Sequence, residues 1–454
     1  MEEIVIPKKE DILALCDEKK YAKIRDIFTE MNPVDLASFF NDFPKNKSAI
    51  LFRLLPKELA AETFVEMDSD VQEHFIKGFS DNELKDIMEE IYLDDTVDIV
   101  EEMPANVVKR ILSSTDATTR AMINKILKYP EDSAGSIMTI EYVSLRKNMT
   151  VSEALTRIRR TGVDKETIYT CYVTDYNRKL LGIVTAKDLL LSEEDTEIVE
   201  IMETNLLFAH THTDKEEVTQ MFSKYDLLAL PVVDDEERLV GIVTVDDALD
   251  VMEEEATEDI EKMAAIRHVD KSYFQTSVWE TYLSRIPWLL LLMISATFTG
   301  MIITGFEDAL SVSIVLSSCI PMLMDTGGNC GGQASVTIIR ALSLEDVQFH
   351  DIFKVIWKEF RVGLLCGFSL AVVNFLKMLI LNGSNTSILI ILVVSIALFC
   401  AVIIAKFVGC ILPMLAQKIG FDPAVMSSPF ITTIVDALSL LIYFNLACWI
   451  LHIA

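Results

Sequence analysis

The sequence predicts a multidomain chain: an all-α transmembrane domain of five helices, preceded by an α-helical superhelical domain and an α/β tandem pair. Three observations predict this. The last third is apolar in stretches of bilayer length, the middle holds two copies of a unit of about 60 residues, and the first 130 residues repeat a proline-opened helical pattern. The expected limits are 1–130 for the helical repeat and 131–250 for the pair, split into 131–195 and 196–250. An acidic connecting helix should occupy 251–280 and the membrane domain 281–454.

The charge divides the same way. Of the net −29 over 454 residues, −27 falls on residues 1–285, which carry 60 acidic and 33 basic side chains. So acidic a surface excludes nucleic acid and anionic lipid headgroups as partners and favours cations, although acidity also serves solubility. The eight cysteines form no CxxC pair, and six lie in the apolar block, so neither a zinc site nor a disulfide framework is expected. The start, MEEIVIPKKEDILALC, lacks the apolar core of a signal peptide, which places the polar part in the cytoplasm.

In the first domain, Pro33, Pro56 and Pro104 open the segments NPVDLASFF, LPKELAAETF and MPANVVKRIL, with SDNELKDIMEEI between. The period, about 24 residues, is that of one helical hairpin. Its end, LDDTVDIVEE, crowds acids. Asp94 and Asp98 stand at i, i+4, where like charges weaken a helix by tenths of a kcal/mol unless a cation lies between them. A solvated acidic face explains either residue alone.

In the pair, LLGIVTAKDLL (180–190) matches LVGIVTVDDAL (239–249), each after an apolar strand and polar turn. The helical patterns VSEALTRIRR and KEEVTQMFSKYD precede them, and IMTIEYVSLRKNMTV aligns with IMETNLLFAHTHTD further upstream. This doubled pattern resembles a pair of CBS domains, β-α-β-β-α modules that bind adenine nucleotides. The resemblance implies that Thr185 with Asp188, or Thr244 with Asp247, contacts ribose and phosphates, at helix starts whose amides suit phosphate. Plain helix capping is the alternative use of the same residues.

The run DDALDVMEEEATEDIEKM (246–263) reads as a helix with oxygen ligands and no His or Cys, which suits Mg²⁺ or Ca²⁺. Five spans are expected near 286–306, 309–339, 361–381, 388–416 and 426–451, the second broken by Gly327, Gly328, Gly331 and Gly332. Close helix packing through small residues is the other use of such glycines. Asp325, Asn329 and Gln333 in register point to a pathway-lining or dimer-lining face. The loops holding Arg340, Lys354, Lys358, Arg361 and Lys418 face the cytoplasm by the positive-inside rule. That orients the N-terminus inward and the C-terminus outward, in the inner cell membrane. Asp436 interrupts the last span, at a cost of about 2.5–3.5 kcal/mol at mid-membrane. Ser428, Thr432, Asp436 and Ser439 fall within an arc of roughly 80°. The polar stripe points to a bundle interior or to water, with pairing to Lys406 as the structural alternative.

The order of parts, with TGGNCGGQ (326–333), ATEDI (256–260) and FDPAVMSSPFITTIVD (421–436), resembles the MgtE family of magnesium channels over nearly the whole chain. The resemblance implies a homodimer in the lipid bilayer with a pore between subunits, and no enzyme activity. It implies that Asp436 holds a largely hydrated Mg²⁺ and that Asp422 marks the cytoplasmic mouth. Asn329, Ser428 and Thr432 would line the pore. Regulatory cations would sit on Glu62, Asp94, Asp98, the Gly135 backbone, Glu216, Asp226, Asp247, Asp250, Glu255, Glu258 and Asp259. ATP would bind near Thr185, Lys187 and Asp188. The chain departs from the family at Gly332, Ser428, Ser439, Lys187 and Lys406. The expected activity is Mg²⁺ import down its gradient, closed by cytoplasmic Mg²⁺. Proton-coupled exchange, transport of Mn²⁺ or Co²⁺, and a nucleotide-regulated enzyme are the alternatives. No nucleophile–base set, Walker loop or HExxH supports the enzyme.

Overall fold

The structure, a computed structural model, describes residues 9–269, 273, 276–307, 313–344, 346–382, 386–426 and 428–452, without the side chains of Asp164, Asn382 and Ser428. Two compact units meet in sequence at Met252 and Glu253.

The first unit begins with ten short helices among the described residues, from Lys9–Asp17 to Ala117–Ile126. The prolines act as expected. Pro33 takes the first helical position of Pro33–Asn41, where its missing N–H costs nothing, and the Asn32 side chain accepts from Val34 N at 3.0 Å. Pro56 and Pro104 precede Lys57–Val65 and Ala105–Ser114. Ser80 and Glu83 form a reciprocal cap on Asp81–Met88. Helices this short are unstable alone, so the aromatic core must hold them. The Phe40 ring meets Phe28 and Phe52 edge-on, at centroid distances of 5.8 and 5.7 Å.

The tandem pair follows as two three-stranded sheets. The first holds β1 (Tyr142–Leu145), β2 (Thr167–Thr174) and β3 (Leu180–Thr185), and the second β4 (Ala209–His210), β5 (Ala229–Val233) and β6 (Leu239–Thr244). In each sheet the first two strands run parallel, separated by a helix, and the last two are antiparallel. The repeats exchange their leading segments. Thr139 bridges to Ile242 in β6, and Glu203 bridges to Ile183 in β3. This explains the glycine of each GIVT motif. A Cβ on Gly182 would lie 2.9 Å from the Glu203 carbonyl, and one on Gly241 would lie 2.7 Å from that of Thr139. An acidic helix, Val245–Met263, runs on from β6.

The second unit contains five long helices among the described residues: Val278–Gly305, Ile314–Ser343, Ile352–Asn382, Ile388–Lys418 and Ser428–Leu451. Four carry segments long and apolar enough to cross a membrane. The first and third start earlier than expected because polar opening turns, such as the Ser277–Glu280 cap, extend the helix beyond its apolar stretch. The second is too polar to count by hydropathy, yet it is one unbroken helix of 30 residues. The expected glycine break is therefore corrected. Gly327, Gly328, Gly331 and Gly332 are all buried, and they serve close packing. A Cβ on Gly328 would come within 2.6 Å of Thr432 Cγ2, and one on Gly331 within 3.1 Å of Val435. One on Gly409 of the fourth helix would fall on the Gly331 carbonyl. The interhelical contact returns the stability that glycine costs an isolated helix.

Candidate functional site

Two carboxylate sites emerge, one in each unit. In the second unit, Asp436 sits half-buried on the fifth helix, and its Oδ1 has no hydrogen-bond partner among the described residues. The second helix packs by its glycines against Thr432, Val435 and Ser439, the residues flanking Asp436 on the same turns. Ser439 is buried with an unpartnered Oγ, and Thr432 is half-buried. The side chain of Ser428, expected on this stripe, lies outside the described residues. On the second helix Asp325, Asn329 and Gln333 form an exposed row at i, i+4, i+8, opposite the buried glycines.

Lys406 is not the partner of Asp436. Its ammonium lies 3.8 Å from Glu359 Oε2, and both residues are buried, at 6% and 8% exposure. The lysine alternative for Asp436 thus loses its cation to the third helix. Glu359 escaped sequence reading because only helix packing brings it to Lys406.

At the end of the acidic helix, Lys262 bonds Glu258 Oε1 and Asp422 Oδ2, both at 2.8 Å. Those carboxylates lift its ammonium above the usual lysine range against the pull of burial. Two expected cation ligands therefore share a lysine here. Asp259 lies close by, within 3.5 Å of Ser343 Oγ, and its carboxyl is raised by burial and then by Asp422. Glu255 is half-buried on the same helix.

In the first unit, the helix Leu93–Glu102 brings Asp94 and Asp95 in its first turn to the tandem pair. Asp94 is 6% exposed, and its Oδ1 has no hydrogen-bond partner among the described residues. One ligand oxygen each from Asp94, Glu141 and Glu166 lies within 4.8 Å of the others. Fully ionised, each such pair would repel by ~3 kcal/mol at an effective dielectric of ~20. Protons respond accordingly. Burial, then Asp247 and Asp95, pushes the Asp94 carboxyl well above the carboxylate range. Burial, then Asp246 and Asp247, takes Glu166 to about 8, and burial, then Asp247 and Glu66, takes Asp95 to about 7. Burial raises Asp247 to about 6 against a lowering bond from Thr244 Oγ1, 2.5 Å away. A cation would do what these protons do, and would displace them as it bound.

The other expected ligands are scattered in the first unit. Asp98 is exposed at the edge of the cluster, and Glu62, Asp226 and Asp250 are exposed. Asp250 bears electrostatically on Glu66. Glu216 is half-buried and accepts from Gln220 Nε2 at 3.4 Å. Gly135 is buried with its N–H on the Thr211 carbonyl at 3.0 Å, where a Cβ would meet the Tyr129 ring at 2.6 Å. Thr185 and Asp188 form a reciprocal helix cap, with Oγ1 and Oδ2 2.5 Å apart, and Lys187 is exposed beside them. Sequence reading missed Glu141, Glu166 and Lys262, and took Asp95 only as one of the crowded acids of LDDTVDIVEE. The repeat held one signal for two of them. Aligned on the second copy, Glu141 and Glu166 face Asn205 and Tyr225, so these acids belong to the first copy alone.

Residues 31–132 match the MgtE intracellular N domain, 134–194 and 198–254 match CBS domains, and 320–446 match the MgtE divalent cation transporter domain. A magnesium transporter MgtE of Thermus thermophilus is 38% identical over 428 residues, 93% of this chain and 94% of the relative. This chain belongs to the MgtE family of magnesium transporters. The MgtE of Bacillus subtilis is 33% identical, with 97% of each chain covered. A crystal structure of the cytosolic domain of the Mg²⁺ channel MgtE with ATP has 37% identity and a TM-score of 0.51, and covers 54% of this chain and 99% of its own. As an MgtE, the chain is a membrane transporter of divalent cations and not an enzyme.

Proposed function

We propose that this chain is a homodimeric Mg²⁺ channel of the cell membrane, passing the ion inward and closed by Mg²⁺ on its cytoplasmic acids. The observation that carries the reading is Asp436, a membrane-helix carboxylate with an oxygen unpartnered among the described residues, while Lys406 pairs with Glu359 instead. Mg²⁺ sheds water reluctantly, so one such acid per subunit is suited to a hydrated ion. Thr432, Ser428 and Asn329 add neutral polar groups to the path. An inside-negative potential drives entry by about 2.3 kcal/mol per charge per 100 mV.

Closure follows from charge. Without Mg²⁺ the acids Glu62, Asp94, Asp98, Glu216, Asp226, Asp247 and Asp250 repel one another, and with Mg²⁺ bound, with the Gly135 backbone among its ligands, they draw together. The helix Val245–Met263 carries that change in one piece toward Glu255, Glu258 and Asp259, and Lys262 ties its end to Asp422, ahead of the fifth helix. The coupling is the differential affinity of Mg²⁺ for closed and open states. ATP in the pair, near Thr185, Lys187 and Asp188, is supported by the ATP-bound relative.

Channel current at varied cytoplasmic Mg²⁺ tests the gating. Asp94→Ala with Asp98→Ala should leave current flowing at Mg²⁺ levels that close the parent, and unchanged closure would contradict it. A half-buried membrane acid also suits proton-coupled exchange. Mg²⁺ flux that follows an imposed proton gradient would favour that mechanism, and Mn²⁺ or Co²⁺ outcompeting Mg²⁺ would change the cargo.

A further inference from the structure

We propose that Asp325 is a second carboxylate of the ion path, standing at the level of Asp436, and that the two hold one hydrated divalent cation between them. The inference deepens the pore reading above and rests on it. It uses the one acid of the second long helix, to which that reading gives no role.

That helix carries a mostly polar row along its length. Ser318, Asp325, Asn329, Gln333, Thr337 and Arg340 are all exposed and fall within an arc of roughly 120° at 100° per residue. The first long helix exposes side chains of the opposite kind. Its Met293, Ile294, Phe298 and Met301 are 60 to 65% exposed, as contact with lipid requires. Acyl chains offer no hydrogen-bond partner to amides, hydroxyls and a carboxylate, so the polar row needs water. A second copy of this chain, set against the same face about a two-fold axis, would enclose that water as a path.

Helix packing sets the level of Asp325. A Cβ on Gly327 would meet Ser439 and one on Gly331 would meet Ile431, so the second and fifth helices run in opposite directions. Between these contacts a Cβ on Gly328 would touch Thr432. Asp325 lies three residues before Gly328, and Asp436 lies four residues after Thr432. Both steps lead the same way along the bundle, by ~4.5 and ~6 Å at 1.5 Å per residue. Asp325 accordingly bears electrostatically on Asp436.

A ligand is indicated apart from the two acids. Ser439 is 1% exposed, and its Oγ has no hydrogen-bond partner among the described residues. That oxygen points at the second helix at this level, 3.0 Å from where a Cβ on Gly327 would lie. Buried polar atoms without partners call for water or an ion. The donors here are oxygens alone, the set that hard, hydrated divalent cations prefer. A second carboxylate also favours divalent over monovalent ions, because the attraction scales with the charge of the ion.

The test is Mg²⁺ uptake by the full chain in proteoliposomes at a fixed inside-negative potential, read as the half-saturating Mg²⁺ concentration. Glu307→Gln, the same charge change at an exposed acid just past the first long helix, serves as control. In Asp325→Asn half-saturation should rise roughly tenfold over the control. In Asp325→Cys a membrane-impermeant cationic thiol reagent should label the protein above the parent's background, and Mg²⁺ should slow the labelling. Half-saturation no higher than the control's overturns the second acid. So does labelling that Mg²⁺ does not slow, which would put Asp325 in a contact between subunits. Where uptake is too weak to give a half-saturation, the labelling decides. Asp436→Ala separates the two ideas. Uptake lost there with an unmoved Asp325→Asn rejects the second acid and keeps the pore reading. Uptake at the parent's rate there, with Asp325→Asn moved and the labelling slowed by Mg²⁺, keeps a cation at Asp325 and rejects the pore reading built on Asp436.

Discussion

Asp436 and Asp94 are both underpaired carboxylates, but their surroundings differ in kind. Asp436 stands half-buried among hydroxyls and small residues, with helix packing on one side. Asp94 is buried, and two further carboxylates close around it within 4.8 Å. One acid with open surroundings can hold a hydrated ion briefly and let it go. Three acids around one point can replace part of the hydration shell and retain the ion. On the proposed reading the same side chain serves passage in one unit and sensing in the other, and the number of neighbouring oxygens decides which.

The comparison can be broken from several directions. Among changes that leave both acids in place, the largest effect should come from the buried ion pair. Lys406→Met strands Glu359 in an apolar setting, and breaking a buried pair costs about 3–5 kcal/mol. The thermal midpoint of the purified protein should fall sharply, and the double change Lys406→Met/Glu359→Leu should restore most of it. Gly328→Leu should act next. Its side chain meets Thr432 and forces the second helix from the fifth, so Mg²⁺ uptake into vesicles should drop more than tenfold, while overpacking costs about 1–3 kcal/mol. An unchanged uptake would mean that the second helix does not position the acid-bearing turn. Lys262→Met sharpens the contrast more gently. It cuts the tie between the end of the acidic helix and Asp422, so channel closure should need a few-fold more Mg²⁺. The smallest effect is expected far from both sites. Arg53 first, then the Ser80 cap, holds Glu83 down to about 2. A lowered folded-state value means stability that is present above the ordinary carboxylate range and lost as pH falls toward 2. The thermal difference between parent and Glu83→Gln should be small at pH 6, worth tenths of a kcal/mol, and vanish by about pH 2.

Much of this architecture could be read from residues alone, for local reasons. Proline fixes its own backbone angle, so Pro33, Pro56 and Pro104 announce helix starts whatever surrounds them. The doubled GIVT segments announce two equal units. The acid in the last span is legible because a charge among apolar residues has few other uses. What could not be read depends on distant neighbours. Glycine propensities describe an isolated helix, and they mispredicted the second long helix because its stability comes from Thr432, Val435 and Ala405 on other helices. Glu141 lies 48 residues from Leu93, and nothing local tells of the bond between them. Lys406 could be paired on paper with Asp436 or Glu359, and only packing chooses. For the Thr185–Asp188 pair, both uses were visible in the sequence. The structure gives the hydroxyl and one carboxylate oxygen to helix capping.

The measurement that bears most directly on the account is Mg²⁺ uptake into proteoliposomes of the parent and of Asp436→Ala, at matched protein content and with an inside-negative potential. Uptake should fall to that of protein-free vesicles in Asp436→Ala while the thermal midpoint stays near the parent's. Uptake at the parent's rate would show that the ion never meets this carboxylate.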